Sequence, residues 1–585
     1  MRDLGILLLV GTALFASTWT DAIQAVDGGA LVSSACSLHP PDTRFSPLHT
    51  LVGHLACAVP WGTSAGRVGL VSTMAGLWTL AVLYLLVVRL TKDRRAALVA
   101  ALLLASGSIF WHHASRLGPE TLAVALALTA LYLIPWRGIQ QQGWRHLAAG
   151  ICTGLALCSD LTATLVLPVI LVNAVSVPGS VRTRAVTLGL LLGGLSLGLA
   201  PALALVAPDP LFPRLVGDGA LCITLLGRML RQAPSQTGWL LWPLGLVGVT
   251  SLVRRWRVTQ EPLHGPTGFS LGLILVGVPI YLVLVGLLVD ARSDAALDRF
   301  LVLPYALFAV AVGVGLAVAD DRWLGNAARR TYWHWAAWTV VGLSVVLNHP
   351  RADLRQRFAV EDHGINCLGV AASGAVVLGE GVLLRSTLEH ARDVLGRRRD
   401  LRLIDLGLLH QPWYVARLPW YLRQHAADPL RLIQAEMRHG GTVYQARPLR
   451  EQTARGAREP VWSGEWSTPV GARWSRVFAA YPVGPLMRLL PPGELPPAAS
   501  EVARINERVF RGLLHRGGEL DPGIDPDGAR LRETYAQAWR WIAVRLLRTG
   551  DRKGAMRALL RGQRWVPWLE VPSWLQQRAM GGQVR

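Results

Sequence analysis

Ala25-Val26-Asp27-Gly28-Gly29-Ala30, then Leu38-His39-Pro40-Pro41, then Phe45-Ser46-Pro47-Leu48-His49-Thr50-Leu51-Val52-Gly53 fill the gap, residues 20–67, between the first two apolar runs of the chain. A carboxylate beside two glycines stands where the backbone takes turns and approaches other groups closely. His39-Pro40-Pro41 is stiff and extended, because each proline fixes φ and restricts the residue before it. From Leu48 the pattern becomes helical: Leu48, Leu51, Val52, Leu55, Ala56 and Val59 share one face, with His49, Thr50 and His54 off it, until Pro60-Trp61-Gly62 stops the run. Such a short amphipathic helix suits a membrane interface.

Outward from this gap, long uncharged apolar runs fill the first 350 of the 585 residues. Runs of that length read as membrane spans. The expected spans are 4–19, 68–90, 96–112, 119–135, 146–158, 161–178, 185–206, 237–253, 269–289, 300–319 and 331–348, about 11 in all. The fold class is therefore a polytopic α-helical membrane protein with a soluble C-terminal region. The first span starts after Met1-Arg2-Asp3 and could be a signal peptide, but no small-x-small cleavage site stands clearly before the loop.

Short loops set the sidedness. Lys92-Asp93-Arg94-Arg95, Arg137 to Arg145, Arg182 with Arg184, Arg254-Arg255-Trp256-Arg257, and Arg322 with Arg329-Arg330 form one alternating basic set. The positive-inside rule places them, and the N-terminus, in the cytoplasm. An odd number of spans then puts the 20–67 loop and everything after residue 349 outside. The net charge of +21 is almost all arginine, since Lys92 and Lys553 are the only lysines. These arginines are scattered rather than clustered in a groove with interleaved aromatics, which argues against a nucleic-acid partner. Cys36, Cys57, Cys152, Cys158, Cys222 and Cys367 form no Cys-x-x-Cys pair, so no zinc framework is expected. Cys36 and Cys57 share the outer loop and would bridge in an oxidising compartment.

The loop resembles the first extracytoplasmic loop of GT-C membrane glycosyltransferases, and in particular that of the transmembrane protein O-mannosyltransferase family. Its members carry Asp-Ser-Gly-Glu and then His-Pro-Pro-Gly-Tyr-Pro-Leu after the first span. Asp27, Gly29, His39-Pro40-Pro41 and Pro47-Leu48 match; Ala30 replaces the second acid, and the spacing around Asp42-Thr43-Arg44 differs. Phe110-Trp111 with Arg116-Leu117-Gly118-Pro119-Glu120 stands where relatives have a Trp and a downstream Glu. Gly154-Leu155-Ala156-Leu157-Cys158-Ser159-Asp160-Leu161-Thr162 fits another family segment, with Asp160 in place of a histidine. Gly374–Leu378, Asp393–Asp400 and Leu403 to Val415 resemble the family's soluble part, so the likeness runs from about residue 4 to about residue 425.

The resemblance implies transfer of a sugar, mannose being one option, from a polyprenyl-phosphate donor to a protein or glycan hydroxyl on the outer face. That chemistry needs a carboxylate to take the acceptor proton and cationic groups to stabilise the departing phosphate. Asp27 is the general-base candidate; the competing role is a plain turn residue before Gly28-Gly29. His39 either positions substrate or shapes the Pro-Pro turn. Arg116 and Glu120 are substrate-binding candidates because ionisable groups at membrane depth mark functional sites, although they could instead pair in the headgroup layer. Arg228 and Arg299 are candidates for the donor phosphate, since the guanidinium fork fits phosphate oxygens. Asp160 either helps Asp27 or Glu120 hold a divalent metal ion, the one cofactor considered, or caps the helix that follows it.

In the tail, Ala375–Leu378 and Leu401–Ile404 read as buried strands around a helix near 383–397, a β-α-β unit. The expected parts are a membrane domain over 1–348, a small α/β region over 349–445, an Arg/Gly/Pro/Trp-rich linker over 446–475 and a helical region over 476–585. The last contains one tetratricopeptide-like hairpin from Tyr535 to Pro567, which cannot bury its own face and must dock elsewhere. Two other functions stand beside the transferase: a catalytically decayed scaffold, suggested by Ala30 and Asp160, and a transporter, against which no inverted repeat of broken helices is found.

Overall fold

The computed structural model describes residues 2–24, 28–38, 46–134, 143–175, 180–205, 242–258, 298–322, 327–379, 384–446, 477–516 and 525–567. Asp27, His39, Arg228, the span expected at 269–289 and nearly all of 446–475 lie outside them. The chain forms two compact units: Met1–Asp21 with Ser34–Arg355, and Ala22–Ser33 with Gln356–Arg585.

Among the described residues, the regular elements of the first unit are all helices. Its helices are α1 (Arg2–Thr18), α2 (Gly28–Ser37, whose first part belongs to the second unit), α3 (Pro47–Cys57), α4 (Ser64–Thr91), α5 (Arg94–Ser106), α6 (Ser108–Ser115), α7 (Glu120–Leu133) and α8 (Gly143–Ser159). A 3-10 turn, Leu161–Val166, runs into α9 (Leu167–Val175); then come α10 (Val181–Gly198), α11 (Ala200–Leu205), α12 (Trp242–Val258), α13 (Val302–Arg322) and α14 (Ala327–Ala352). A helix thus occupies each expected span that the described residues cover. Ser64–Thr91, Val181–Ala202 and Arg299–Asp321 are individually long and apolar enough to cross a membrane, and α5 with α6 qualifies as a bent pair. Burial ranks them: 94% of the apolar window of α13 is buried but only 28% of that of α10, so α13 is central and α10 peripheral.

The third expected span is not one rod. It turns by 69° between α5 and α6, where Gly107 is extended. The bend frees backbone groups that a bilayer would leave unsatisfied. Asn348 Nδ2 donates to the Ser106 carbonyl at 2.9 Å and Ser344 Oγ to the same oxygen at 3.3 Å, answering that need from α14.

Close helix contact is made by glycine. Gly150 and Gly154 on α8 face Gly194 and Gly198 on α10, two Gly-xxx-Gly pairs. A Cβ added at Gly150 or Gly154 would overlap the Leu191 or Leu195 carbonyl, and one at Gly194 or Gly198 the Leu147 or Ile151 carbonyl. Small residues let the backbones touch, which is how helices associate where no hydrophobic drive separates them from lipid. Gly248 and Gly315 do the same between α12 and α13.

The second unit holds a five-stranded sheet in the order β2-β1-β3-β5-β4, formed by β1 (Val376–Gly379), β2 (Arg402–Asp405), β3 (Val443–Ala446), β4 (Ala480–Val483) and β5 (Leu486–Leu489). β1 pairs in parallel with β2 and β3, while β5 pairs antiparallel with β3 and β4. Alternate side chains feed two cores. Val377, Leu403 and Tyr444 face α15 (Ala359–Val370), α16 (Leu384–Val394, wound i→i+5) and the C-terminal helices, whereas Val376, Leu378, Ile404 and Val443 face residues 406–437. β3, which ends at Ala446, pairs with β5, so the segments on either side of the expected linker contribute strands to one sheet. The hairpin is α17 (Pro526–Arg548) and α18 (Arg552–Trp565), turned at Gly550 with φ +84° and capped by Asp551. It docks through Trp539, Ile542 and Leu546 in the first of those cores.

His363 and His390 are fully enclosed in this unit, and burial pushes both imidazoles down to about 4. The folded unit then declines protons that the unfolded chain takes up below about 6.5. Stability is whole above that pH and is lost as pH falls toward 4, by about 3 kcal/mol per histidine. The urea midpoint of this unit should fall steadily from pH 6.5 to 4, and His390→Leu should remove about half the slope. Packing gives a second expectation. Gly154→Val should lower the thermal midpoint by forcing α8 from α10, at a cost of about 1–3 kcal/mol, whereas Gly193→Ala, with open space around its Cβ, should leave it unchanged or raise it.

Candidate functional site

Four of the sequence candidates fall on described residues, and the structure brings them together. Arg116 and Glu120 bracket the turn between α6 and α7; Asp160 follows directly on α8, and Arg299 begins the 3-10 turn before α13. The turn is held from two sides. Ser72 Oγ of α4 donates to the Gly118 carbonyl at 2.7 Å and accepts from the Gly118 amide at 3.1 Å, while Thr121 Oγ1 donates to the Ser72 carbonyl at 3.0 Å. From α8, Ser159 Oγ donates to the Pro119 carbonyl at 3.0 Å. The preceding α6 is tied back by Thr73 Oγ1 to the Ala114 carbonyl at 2.9 Å and by Trp111 Nε1 to Thr18 Oγ1 at 2.9 Å. Pro119 cannot donate at the start of α7, where no donor is needed.

Inside this frame the charges are buried. Glu120 is 1% and Arg116 5% exposed, and Arg116 Nη2 lies 3.9 Å from Glu120 Oε1. His113 Nδ1 lies 3.5 Å from Glu120 Oε2. Charges in so dry a place interact far more strongly than on a surface, and each must be balanced. Asp160 joins them: it feels the Arg299 guanidinium and the Glu120 carboxylate, although burial is the larger influence and raises its pKa. Its Oδ1 accepts from the Thr162 amide at 2.7 Å, the cap foreseen for that position. Arg299 lies over the Phe300 ring, 4.4 Å from its centroid.

The amphipathic helix α3 contributes as well. Its buried side carries His49, Thr50 and Gly53, while Leu55 is 70% exposed and Val59, just beyond its end, 49% exposed. Leu48, Leu51, Val52 and Ala56 are half-buried, so His49 and Thr50 are the inward side chains and Leu55 the outermost apolar one. His49 is completely buried and held down to about 4 by that burial, against the pull of the Glu120 carboxylate. Cys36 and Cys57 are bonded, with Cα atoms 5.5 Å apart, and His54 Nδ1 donates to the Ala35 carbonyl at 2.9 Å, so α3 is tied to α2 at its far end. Closing a loop of 21 residues is worth about 3 kcal/mol in the chain-entropy account.

His49, His113, Ser72 and Ser159 are members of this site that sequence reasoning passed over. His49 and Ser159 stood in stretches the sequence singled out, and His113 lies three residues before Arg116 and seven before Glu120, but no local pattern marked any of them for the site. Gly29 serves packing instead. A Cβ there would overlap the Ser386 carbonyl, so this glycine permits a backbone contact within the second unit. Among the described residues no group of three or more His, Cys, Asp or Glu is placed to hold a metal ion. Asp27, one of the two partners considered for Asp160 in holding a metal, lies outside them.

Residues 46–205, which include α3, the α6–α7 turn and Asp160, match the family model of dolichyl-phosphate-mannose-protein mannosyltransferase. The mouse (Mus musculus) protein O-mannosyl-transferase TMEM260 is 23% identical over 457 residues, 70% of this chain and 63% of that protein. The chain therefore spans less than two thirds of the length of this relative. Among solved structures, ArnT from Cupriavidus metallidurans in the apo state aligns with a TM-score of 0.51 at 12% identity, covering 83% of this chain and 97% of that one. ArnT bound to undecaprenyl phosphate aligns with a TM-score of 0.51 at 13% identity, covering 75% and 92%. The chain has the fold of the GT-C membrane glycosyltransferases and is similar, over residues 46–205, to the protein O-mannosyltransferase family.

Proposed function

We propose that the protein transfers a sugar from a polyprenyl-phosphate donor to a protein hydroxyl on the outer face of the cell membrane, a glycan hydroxyl being the other acceptor. The observation that carries this reading is the trio Arg116, Glu120 and Asp160, buried around one braced turn inside the segment that matches the mannosyltransferase family, with the half-buried Arg299 beside Asp160. Two guanidinium groups and two carboxylates within a helical membrane unit suit a reaction that separates a proton from one oxygen and leaves charge on another. The fold relative ArnT, captured with undecaprenyl phosphate, supports a lipid-linked donor. The N-terminus and the basic loops then lie in the cytoplasm, with 11 spans and the second unit outside.

The reaction balances simply. The acceptor oxygen attacks the anomeric carbon and loses its proton to a carboxylate, Asp27 in this reading, as the bond from that carbon to the phosphate oxygen breaks. The electron pair leaves with the polyprenyl phosphate, where Arg299 and Arg116 stabilise it through charge-assisted hydrogen bonds. Arg228 and His39 are further substrate-binding candidates. Glu120 keeps Arg116 in place, and Asp160, spent in part on its cap, balances Arg299. A second reading rests on Ala30, which stands in α2 where relatives have an acid: a scaffold that binds lipid-linked glycans without turning them over.

Purified protein given radiolabelled polyprenyl-phosphate mannose and a Ser/Thr-rich acceptor peptide should yield labelled peptide. Asp27→Asn should lower turnover at least about 100-fold, the scale of a lost general base, while leaving donor binding intact. Donor binding without turnover by the wild type would favour the scaffold, and absence of both would end the proposal. Ser72→Ala should lower stability by about 1–2 kcal/mol, because it strands the Gly118 amide and carbonyl, and should reduce turnover further than that loss explains. Glu120→Gln should reduce turnover and also lower the thermal midpoint, because it leaves Arg116 buried without its counter-charge.

A further inference from the structure

At the opposite end of the helices, away from the buried charge set, a cavity of about 600 Å³ opens between the α4–α5 turn and the last turns of α13. One wall is Thr91, Lys92, Asp93, Arg94 and Arg95; the other is Val314, Ala317, Val318, Asp320 and Asp321. On the first wall the acid is already engaged, since Asp93 Oδ1 accepts from the Arg95 amide at 2.8 Å and the Ala96 amide at 3.1 Å as the cap of α5. Three cations therefore dominate it, and the positive end of the α5 dipole adds to them. The second wall has the reverse character. Asp320 and Asp321 stand in the final turn of α13, where the helix dipole is negative, so the acids reinforce rather than offset it.

Lys92, Arg94, Arg95 and Asp321 are all exposed, and the cavity lies between the three cations and this acid. The two signs thus stand on opposite walls. A pure anion is repelled by one wall and a pure cation by the other, whereas a ligand with a phosphate at one end and an ammonium at the other fits both. Val314, Ala317 and Val318 give the acid wall an apolar flank. α4 and α13 are both long enough to cross a membrane, so a cavity at their ends lies at headgroup depth.

We propose that this cavity binds the phosphoethanolamine headgroup of a membrane phospholipid, with the phosphate against Lys92, Arg94 and Arg95 and the ammonium against Asp321, in the field that Asp320 strengthens. A primary ammonium donates hydrogen bonds to carboxylates; a trimethylated one cannot. The site therefore distinguishes phosphatidylethanolamine from phosphatidylcholine by the acid wall and from phosphatidylglycerol by the need for a cation. None of its residues belongs to the proposed transfer machinery.

The test uses the full chain in detergent, delipidated and then exposed separately to phosphatidylethanolamine, phosphatidylcholine and phosphatidylglycerol of equal acyl composition, with lipid retention read by native mass spectrometry. Phosphatidylethanolamine should be retained at least about fivefold over both others, in line with a coupling of about 1 kcal/mol. Asp321→Asn should abolish the preference over phosphatidylcholine and Arg95→Gln should weaken retention of all phosphate lipids; both side chains are exposed, so folding is preserved and the thermal midpoint serves as control. Free phosphoethanolamine at equal concentration should not compete; if it does, the same zwitterion is taken from solution rather than from lipid, and the lipid assignment is overturned. Equal retention of the three lipids by the wild type, or a preference untouched by Asp321→Asn, overturns the site itself.

Discussion

The turn from Arg116 to Pro119 depends on one hydroxyl. Ser72 Oγ donates to the Gly118 carbonyl and accepts from its amide, so a single side chain on α4 answers both exposed groups of a residue that no helix can serve. In a membrane unit, irregular backbone survives only where protein supplies the partners that water would otherwise provide. Once Ser72 and Ser159 fix the turn, Arg116 and Glu120 are aimed inward and can be buried as a pair. Without that frame the two charges would reach for solvent, because their mutual attraction at 3.9 Å does not by itself repay desolvation.

The burial of His49 and Thr50 on α3 follows the same logic from the other side. Its apolar residues were legible in the sequence as an interfacial face, and the exposed Leu55 is where that reading places it. What periodicity could not reveal is that His49 and Thr50 are more deeply buried than the apolar residues beside them. Hydrophobic period identifies a stripe; it does not say whether lipid or protein covers it. The disulfide from Cys36 to Cys57 settles the question locally by holding the end of α3 to α2.

Other differences have equally specific causes. The apolar runs announced the helices, but the 69° bend between α5 and α6 hides inside one expected span, where only the short Ser106-Gly107-Ser108 stretch marks it. Asp160 was readable as a cap because that interaction is local, two residues along the chain. Ser72, His49 and His113 escaped because burial or distant partners give them meaning: Ser72 meets Gly118 across 46 positions. The sheet crossed the expected linker for a related reason. β4 and β5 are four residues each, too short for an alternating pattern, and β5 pairs with β3 from Val443–Leu489 to Ala446–Leu486, across some 40 positions of chain.

Packing and site are joined through α8. Asp160 follows directly on α8, and Gly154 lies six residues before it, about 9 Å along the axis at the usual rise per residue. The position of the Asp160 carboxyl near Arg299 and Glu120 is thus inherited from how closely α8 lies on α10, which the paired glycines decide. The same helix end carries Ser159, which braces the α6–α7 turn through Pro119. A shift of α8 by even one ångström would move a cap, a brace and a counter-charge together. Glycines remote from the charges therefore act on the site as firmly as the residues that touch it, because interiors this tightly packed transmit displacement instead of absorbing it.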